Sequence, residues 1–200
     1  GFKQTRIVLD INLDGAVIGD LSGLDPVEQQ TQIASLNVNR LLVSSLQEKF
    51  PDVQKRADIF ALLRLFSVGA QTDIREVLLN DLSLVGKTVP ISLIASSNVD
   101  MLMKGNISRD VLENNRKISD QQIAWIDQFI AEDRVSKEFN WTFFTTGDSR
   151  EPELAGIWGA TVGSLLTLFV TFIIAFPIGV GSAIYLEEFA PKNKFTDLIE

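Results

Sequence analysis

The chain opens on an alternation. Ile7, Leu9, Ile11 and Leu13 are apolar, with Arg6, Asp10 and Asn12 as polar partners between them. A period of two belongs to a half-buried strand, because successive side chains leave a pleated backbone on opposite faces. "LDGAVIG" then predicts a turn at Asp14-Gly15 into a second short strand. After Pro26 the period lengthens. "PVEQQTQIASLNVNRLLVSSLQEKF" places Ile33, Leu36, Leu41 and Phe50 inward on a helix that Pro51 interrupts. "DVQKRADIFALLRLFSVGA" predicts a second helix ending at Gly69, and "TDIREVLLNDL" a third, capped by Thr72 or Asp73. "KTVPISLIASS" reads as a short buried strand, which Pro90 confines to an edge or a strand end because it has no N–H to donate. "NVDMLMKGN" reads as a helical turn closed at Gly105.

The clearest helix is "ISDQQIAWIDQFIAEDR". Ser119 and Gln122 have capping-box spacing, and Ile123, Ile126, Phe129 and Ile130 recur at helical period on one face. "EFNWTFFTTGDSREPELAG" is aromatic and then turn-rich. These 150 or so residues are enough for one compact α+β domain, and no linker divides them.

The pattern changes altogether at Leu154. Residues 154–186 form a run of 33 without a charged side chain. About 20 apolar residues rising 1.5 Å each cross a bilayer core of about 30 Å, and "IWGATVGSLLTLFVTFIIAF" meets that length before Pro177 is reached. The expected span is about residues 155–178. Trp158 near its start suits an indole at the water interface. Gly156, Gly159 and Gly163 recur at spacings of three and four, so they share a face on which another helix can approach closely. Pro177 removes a backbone donor and crowds the preceding turn, which predicts a kink there, with Gly179 and Gly181 just beyond. In lipid the freed carbonyl needs a partner from neighbouring helices or water, so the pattern implies a multi-helix assembly. Glu187 and Glu188 read as the exit into water over residues 187–200. Orientation stays open on charge alone, since Lys192 and Lys194 on one side balance Arg150 and Lys137 on the other.

Composition removes several classes of chemistry. Residues 1–153 carry 22 acidic and 16 basic side chains, an excess that disfavours nucleic acid as a partner. There is no cysteine and no histidine, so thiolate metal sites, imidazole bases and catalytic triads are absent. No catalytic residue, metal site or cofactor is expected. "GVGSA" lacks a lysine placed to meet a phosphate, and no calcium-loop pattern occurs. Asn106-Ile107-Ser108 and Asn140-Trp141-Thr142 match a glycosylation acceptor too short to exceed chance. Phe139, Trp141, Phe143 and Phe144 read as packing at the domain base or resting at the membrane interface, ahead of a ligand cage. Gly1 in place of methionine, and "FTDLIE" with no terminating signal, read as cut ends.

The stretch from "EFNWTFFTTGDSREPELAGIWG" through "FPIGV" and "AIYLEEFAPKN" to "FTDLIE", residues 138–200, closely resembles the start of the membrane domain in phosphate ABC-transporter permeases of the PstA type. "ISLIASSNVDMLMKGN" and "QIAWIDQF" look like the extra region that some of these permeases carry between their first two membrane helices. The resemblance implies an α+β periplasmic insertion over residues 1–153, followed from residue 154 by the beginning of a multi-helix type I ABC permease domain in the bacterial inner membrane. It also implies a span running inward and Lys192 and Lys194 in the cytoplasm. The implied partners are a second permease subunit, a cytoplasmic ATPase dimer, a periplasmic phosphate-binding protein and the lipid bilayer. Phosphate-contacting residues are expected beyond Glu200. Within the chain, Gly156, Gly159 and Gly163 carry helix packing and Pro177 the bend. The competing readings are a membrane-bound sensor, with residues 1–153 as its ligand domain, and a membrane-anchored enzyme.

Overall fold

A computed structural model describes residues 2–189 apart from Asp20 and Ser22. Its sheet has three strands: β1 (Lys3–Asn12), β2 (Thr88–Ile94) and β3 (Val135–Phe139). The order is β2-β1-β3, with both outer strands antiparallel to β1. The alternation read at the start of the chain sets the register. Ile7 faces Leu93 and Leu9 faces Ile91, so the apolar residues of both strands lie on one side of the sheet. All four are at most 3% exposed. Pro90 lies on an outer strand, where its missing N–H breaks no ladder.

Helices cover that side: α2 (Pro26–Ser35), α3 (Val38–Lys49), α4 (Arg56–Leu63), α5 (Gly69–Asn80), α6 (Ser97–Met103) and α7 (Asp120–Ala131), after a four-residue α1 (Gly15–Ile18). α3 packs on β1 and α5 on β2. α7 closes the core with Phe129, fully buried, its ring 5.6 Å from Phe50 and 6.4 Å from Phe66. The mixed α/β character is as expected. α7 also shows the expected cap: Ser119 Oγ accepts from Gln122 N–H at 3.1 Å, and Gln122 Oε1 accepts from Ser119 N–H at 3.0 Å. Ile123, Ile126 and Phe129 point inward, whereas Ile130 is 40% exposed and Trp125 takes an inward place instead. Ser119→Ala is expected to cost about 1 kcal/mol, read as a lowered urea midpoint with an unchanged m-value.

Four boundaries differ from the sequence reading, each for a reason the contacts show. "GAVI" forms α1 rather than a second strand, because Asp14 Oδ1 accepts from Ala16 N–H at 2.9 Å and caps a helical turn that buries Ile18. The long helix after Pro26 is two helices. Leu36 turns extended (φ −60°, ψ 133°) and is buried, and its carbonyl accepts from Arg75 Nη2 at 3.1 Å. The helix expected to end at Gly69 ends at Leu63. Residues 65–67 instead extend the end of β2, with Ser67 N–H donating to Ile94 O and Ser96 N–H to Leu65 O, both at 2.9 Å.

Gly69 therefore begins α5, and neither Thr72 nor Asp73 caps it. Asp73 accepts from Ile94 N–H at 2.9 Å and pairs with Arg6 at 2.8 Å. Position 69 is closely covered by side-chain tips. A Cβ there would come within 2.7 Å of Leu154 Cδ2 and 3.2 Å of Ile94 Cδ1.

Candidate functional site

The chain leaves the domain through a short aromatic helix, α8 (Trp141–Thr145), and a tight return over residues 146–157. Asn140 Oδ1 caps α8 by accepting from Phe143 N–H at 3.1 Å. The return is stitched to α8 by its backbone. Gly156 N–H donates to Gly147 O at 2.8 Å, Ile157 N–H to Phe143 O at 2.8 Å, and Trp158 N–H to Thr146 O at 3.1 Å. Thr146 Oγ1 adds a bond to Leu154 O at 3.0 Å. Further anchoring comes from Gln4 Nε2, which donates to Glu153 O at 3.0 Å, and from Leu154 packed over Gly69.

From this junction α9 (Trp158–Ile184) extends and runs on through a wider, π-type turn at Tyr185–Phe189. It is a candidate membrane span over Trp158–Phe189, and its most apolar 18 residues have a mean hydropathy of 2.2. A soluble core helix of that composition would be covered, but none of this one is buried. A signal sequence would stand near the start of the chain, and α9 follows the folded domain.

The helix has two different sides. At about 100° per residue, Gly159, Ala160, Gly163, Ser164 and Thr167 share one side, and Leu165, Leu168, Phe169, Phe172 and Phe176 share the other. Phe172 and Phe176 stack with ring centroids 5.3 Å apart. A Cβ added at Gly163 would meet nothing within 4 Å, and one at Gly159 only Gly147 Cα at 3.7 Å. No packing inside this chain thus requires glycine at 163.

Gly156 behaves differently from the other two. It lies two residues ahead of α9, not on its face, and a Cβ there would fall on the Thr146 carbonyl oxygen. Its small size serves the junction. Pro177 sits inside α9, which continues past it to Ile184; lacking an N–H, it leaves the Ile173 carbonyl without its helical donor. Glu187 and Glu188 are in the π-type turn, while Lys192, Lys194 and the "FTDLIE" segment lie outside the described residues.

Sequence reasoning did not find the junction. Its bonds join residues that are distant along the chain or lie in irregular backbone, and neither leaves a periodic trace. An open cleft beside it, about 390 Å³, is lined by Lys3, Gln4, Asp100, Lys104, Asn140 and Glu153 among others. Lys104 is already engaged there, with Asp100 at 2.5 Å and the Lys3 carbonyl at 2.7 Å. Among the described residues no group of three or more acidic side chains is placed to hold a metal ion.

Comparison with known proteins adds two matches. The chain is 37% identical over 62 residues to a protein of Bacillus subtilis (strain 168) described as "Probable ABC transporter permease protein YqgI", which is 31% of this chain and 21% of that protein. The chain thus spans about a fifth of the length of the curated relative it matches. No solved structure matches. The second match is a family model described as "Domain of unknown function (DUF3333)", which aligns with residues 1–113. The folded unit is larger than that segment, because α7 and β3 lie beyond it and complete the core and the sheet. The aligned segment is still more than half of the sequence, and the chain belongs to the DUF3333 family.

Proposed function

We propose that this chain is part of a permease subunit of an ATP-driven importer of inorganic phosphate, with α9 as one of several membrane spans. The observation that carries the reading is α9 itself: an uncharged helix, nowhere buried, leaving a domain whose own core is complete without it. The likeness to a Bacillus protein named as a probable ABC transporter permease supports it. The resemblance of residues 138–200 to PstA-type permeases supplies the phosphate. In this reading residues 1–153 are a periplasmic insertion of a multi-pass inner-membrane protein. A second permease subunit completes the pathway, a cytoplasmic ATPase dimer drives it, and a periplasmic binding protein delivers the cargo.

This chain contributes packing rather than chemistry. The Gly159 and Gly163 side of α9 lets a neighbouring helix approach to backbone contact, and the Phe and Leu side faces acyl chains. The carbonyl freed at Pro177 gives the helix a point of bending when the bundle changes conformation.

Gly163→Leu tests the assembly. Position 163 has open space around it within the chain, so the domain should fold as before. Co-purification with the second permease subunit should fall several-fold, and phosphate uptake by cells carrying the complete subunit should fall with it. Normal assembly would remove this packing face. Uptake of another solute by the wild-type system, with none of phosphate, would remove the assigned cargo.

A further inference from the structure

The domain sorts its aromatic residues by depth. Phe50, Phe66, Trp125 and Phe129 are at most 7% exposed, whereas Phe2, Phe139, Trp141 and Trp158 are 50–70% exposed. Among aromatic residues of the domain's helices, Phe60 on α4 is exposed elsewhere. Phe2, Phe139 and Trp141 gather with Phe143 and Phe144 into one platform. Phe144 stacks on Phe2 at 5.9 Å and lies nearly parallel to Phe139 at 5.5 Å. Phe139 meets Trp141 edge-on at 4.8 Å, and Phe143 meets Phe144 at 5.2 Å. These rings come from the start of β1, the end of β3 and α8, so three separate parts of the fold present them together.

The platform is level with the entry of the span. Phe143 O accepts from Ile157 N–H and Thr146 O from Trp158 N–H, which fixes α8 against the first turn of α9. Wherever Trp158 enters the bilayer, the platform enters its surface layer. An indole suits that layer, with an apolar body for the acyl boundary and an N–H for headgroups or water. We infer that Phe2, Phe139, Trp141 and Phe144 form a membrane-docking surface that seats the domain on the lipid headgroup layer beside α9. The occupant is lipid rather than protein because the surface continues directly into the candidate span. The inference rests on the reading of α9 as a span.

These 200 residues contain no cysteine, so single labels can be placed in them once any cysteine elsewhere in the complete subunit is replaced. Thr145 is exposed on α8 one turn from Trp141, so a spin label at Thr145→Cys reports on the platform while every ring stays in place. Leu168→Cys reports the middle of the span. Leu79→Cys, exposed at the end of α5, from which the chain runs to its bonds between residues 86–87 and Leu13 beyond the other end of β1, reports the far side of the domain. The complete subunit is reconstituted in phosphatidylethanolamine–phosphatidylglycerol vesicles, and each label's collisions with oxygen and with a water-soluble nickel chelate are compared. The expected oxygen-to-nickel ratio at Thr145 is several-fold above that at Leu79 and below that at Leu168.

A Thr145 label as open to nickel as Leu79, with Leu168 in hydrocarbon, overturns the docking surface and leaves the span. A Thr145 label closed to both reagents means that protein covers the platform, and also overturns it. A Leu168 label open to nickel defeats the span, and the docking surface with it.

Discussion

A chain ending at residue 113 is expected to stay unfolded, whereas one ending at residue 153 folds cooperatively. The shorter chain holds the whole segment that aligns with the family, yet it lacks α7 and β3. Four residues of α7 are buried: Ile123, Trp125, Ile126 and Phe129. At about 1.5–3 kcal/mol for each such side chain, their loss removes about 6–12 kcal/mol as an upper figure. The total stability of a domain is about 5–15 kcal/mol, so the loss is of the same size as the whole. The same cut bares Phe50 and Phe66, whose rings pack on Phe129, and turns β1 into an edge by removing its partner strand. Circular dichroism melts and dispersed amide resonances would show the difference. A cooperative transition in the 113-residue chain would mean that α7 is an accessory and not a wall of the core.

Gly156→Ala is expected to loosen the junction without unfolding the domain. Even one methyl would fall on the Thr146 carbonyl, and backbone cannot step aside as a side-chain tip can. Relief requires residues 146 and 156 to part. That breaks the bonds from Gly156 N–H to Gly147 O, from Trp158 N–H to Thr146 O and from Thr146 Oγ1 to Leu154 O. At about 0.5–1.5 kcal/mol each, the cost is about 1.5–4.5 kcal/mol, or roughly ten- to a thousand-fold faster hydrogen exchange at the Gly156-position and Trp158 amides. The domain's melting temperature should hardly move, since the broken contacts lie outside its core. Gly163→Ala should leave the same amides unchanged, because nothing of the chain lies within 4 Å. Equal protection in both variants would show that the junction has room that its geometry denies.

Local signals in the sequence were legible where one short-range force decides the outcome. Ser119 and Gln122 announce the start of α7 because the two bonds of a capping box span only four residues. The alternation in β1 is plain because one face meets the core and the other does not. The uncharged run declares α9 by length alone. Elsewhere a distant partner overrode the local pattern. Leu36 leaves the helix to bury itself and receive Arg75, and Asp73 forgoes a cap to hold Ile94 and Arg6. β3 was not foreseen, since "VSKEF" is short and polar and becomes a strand only by pairing with β1. Gly156 illustrates the limit most clearly: its spacing from Gly159 and Gly163 reads as one face, while its contact with Thr146 gives it a separate purpose.

The bond from Gln4 to Glu153 brings two points 149 residues apart in sequence to within 3.0 Å of each other. Everything between them is a closed loop of polypeptide whose ends meet, the geometry of a cassette. A bridge of a few residues from position 4 to position 153 would excise it without stretching whatever flanks it. In the proposed reading, where residues 1–153 are an insertion between membrane spans, such a cassette can enlarge, shrink or vanish over evolutionary time while the spans keep their shape.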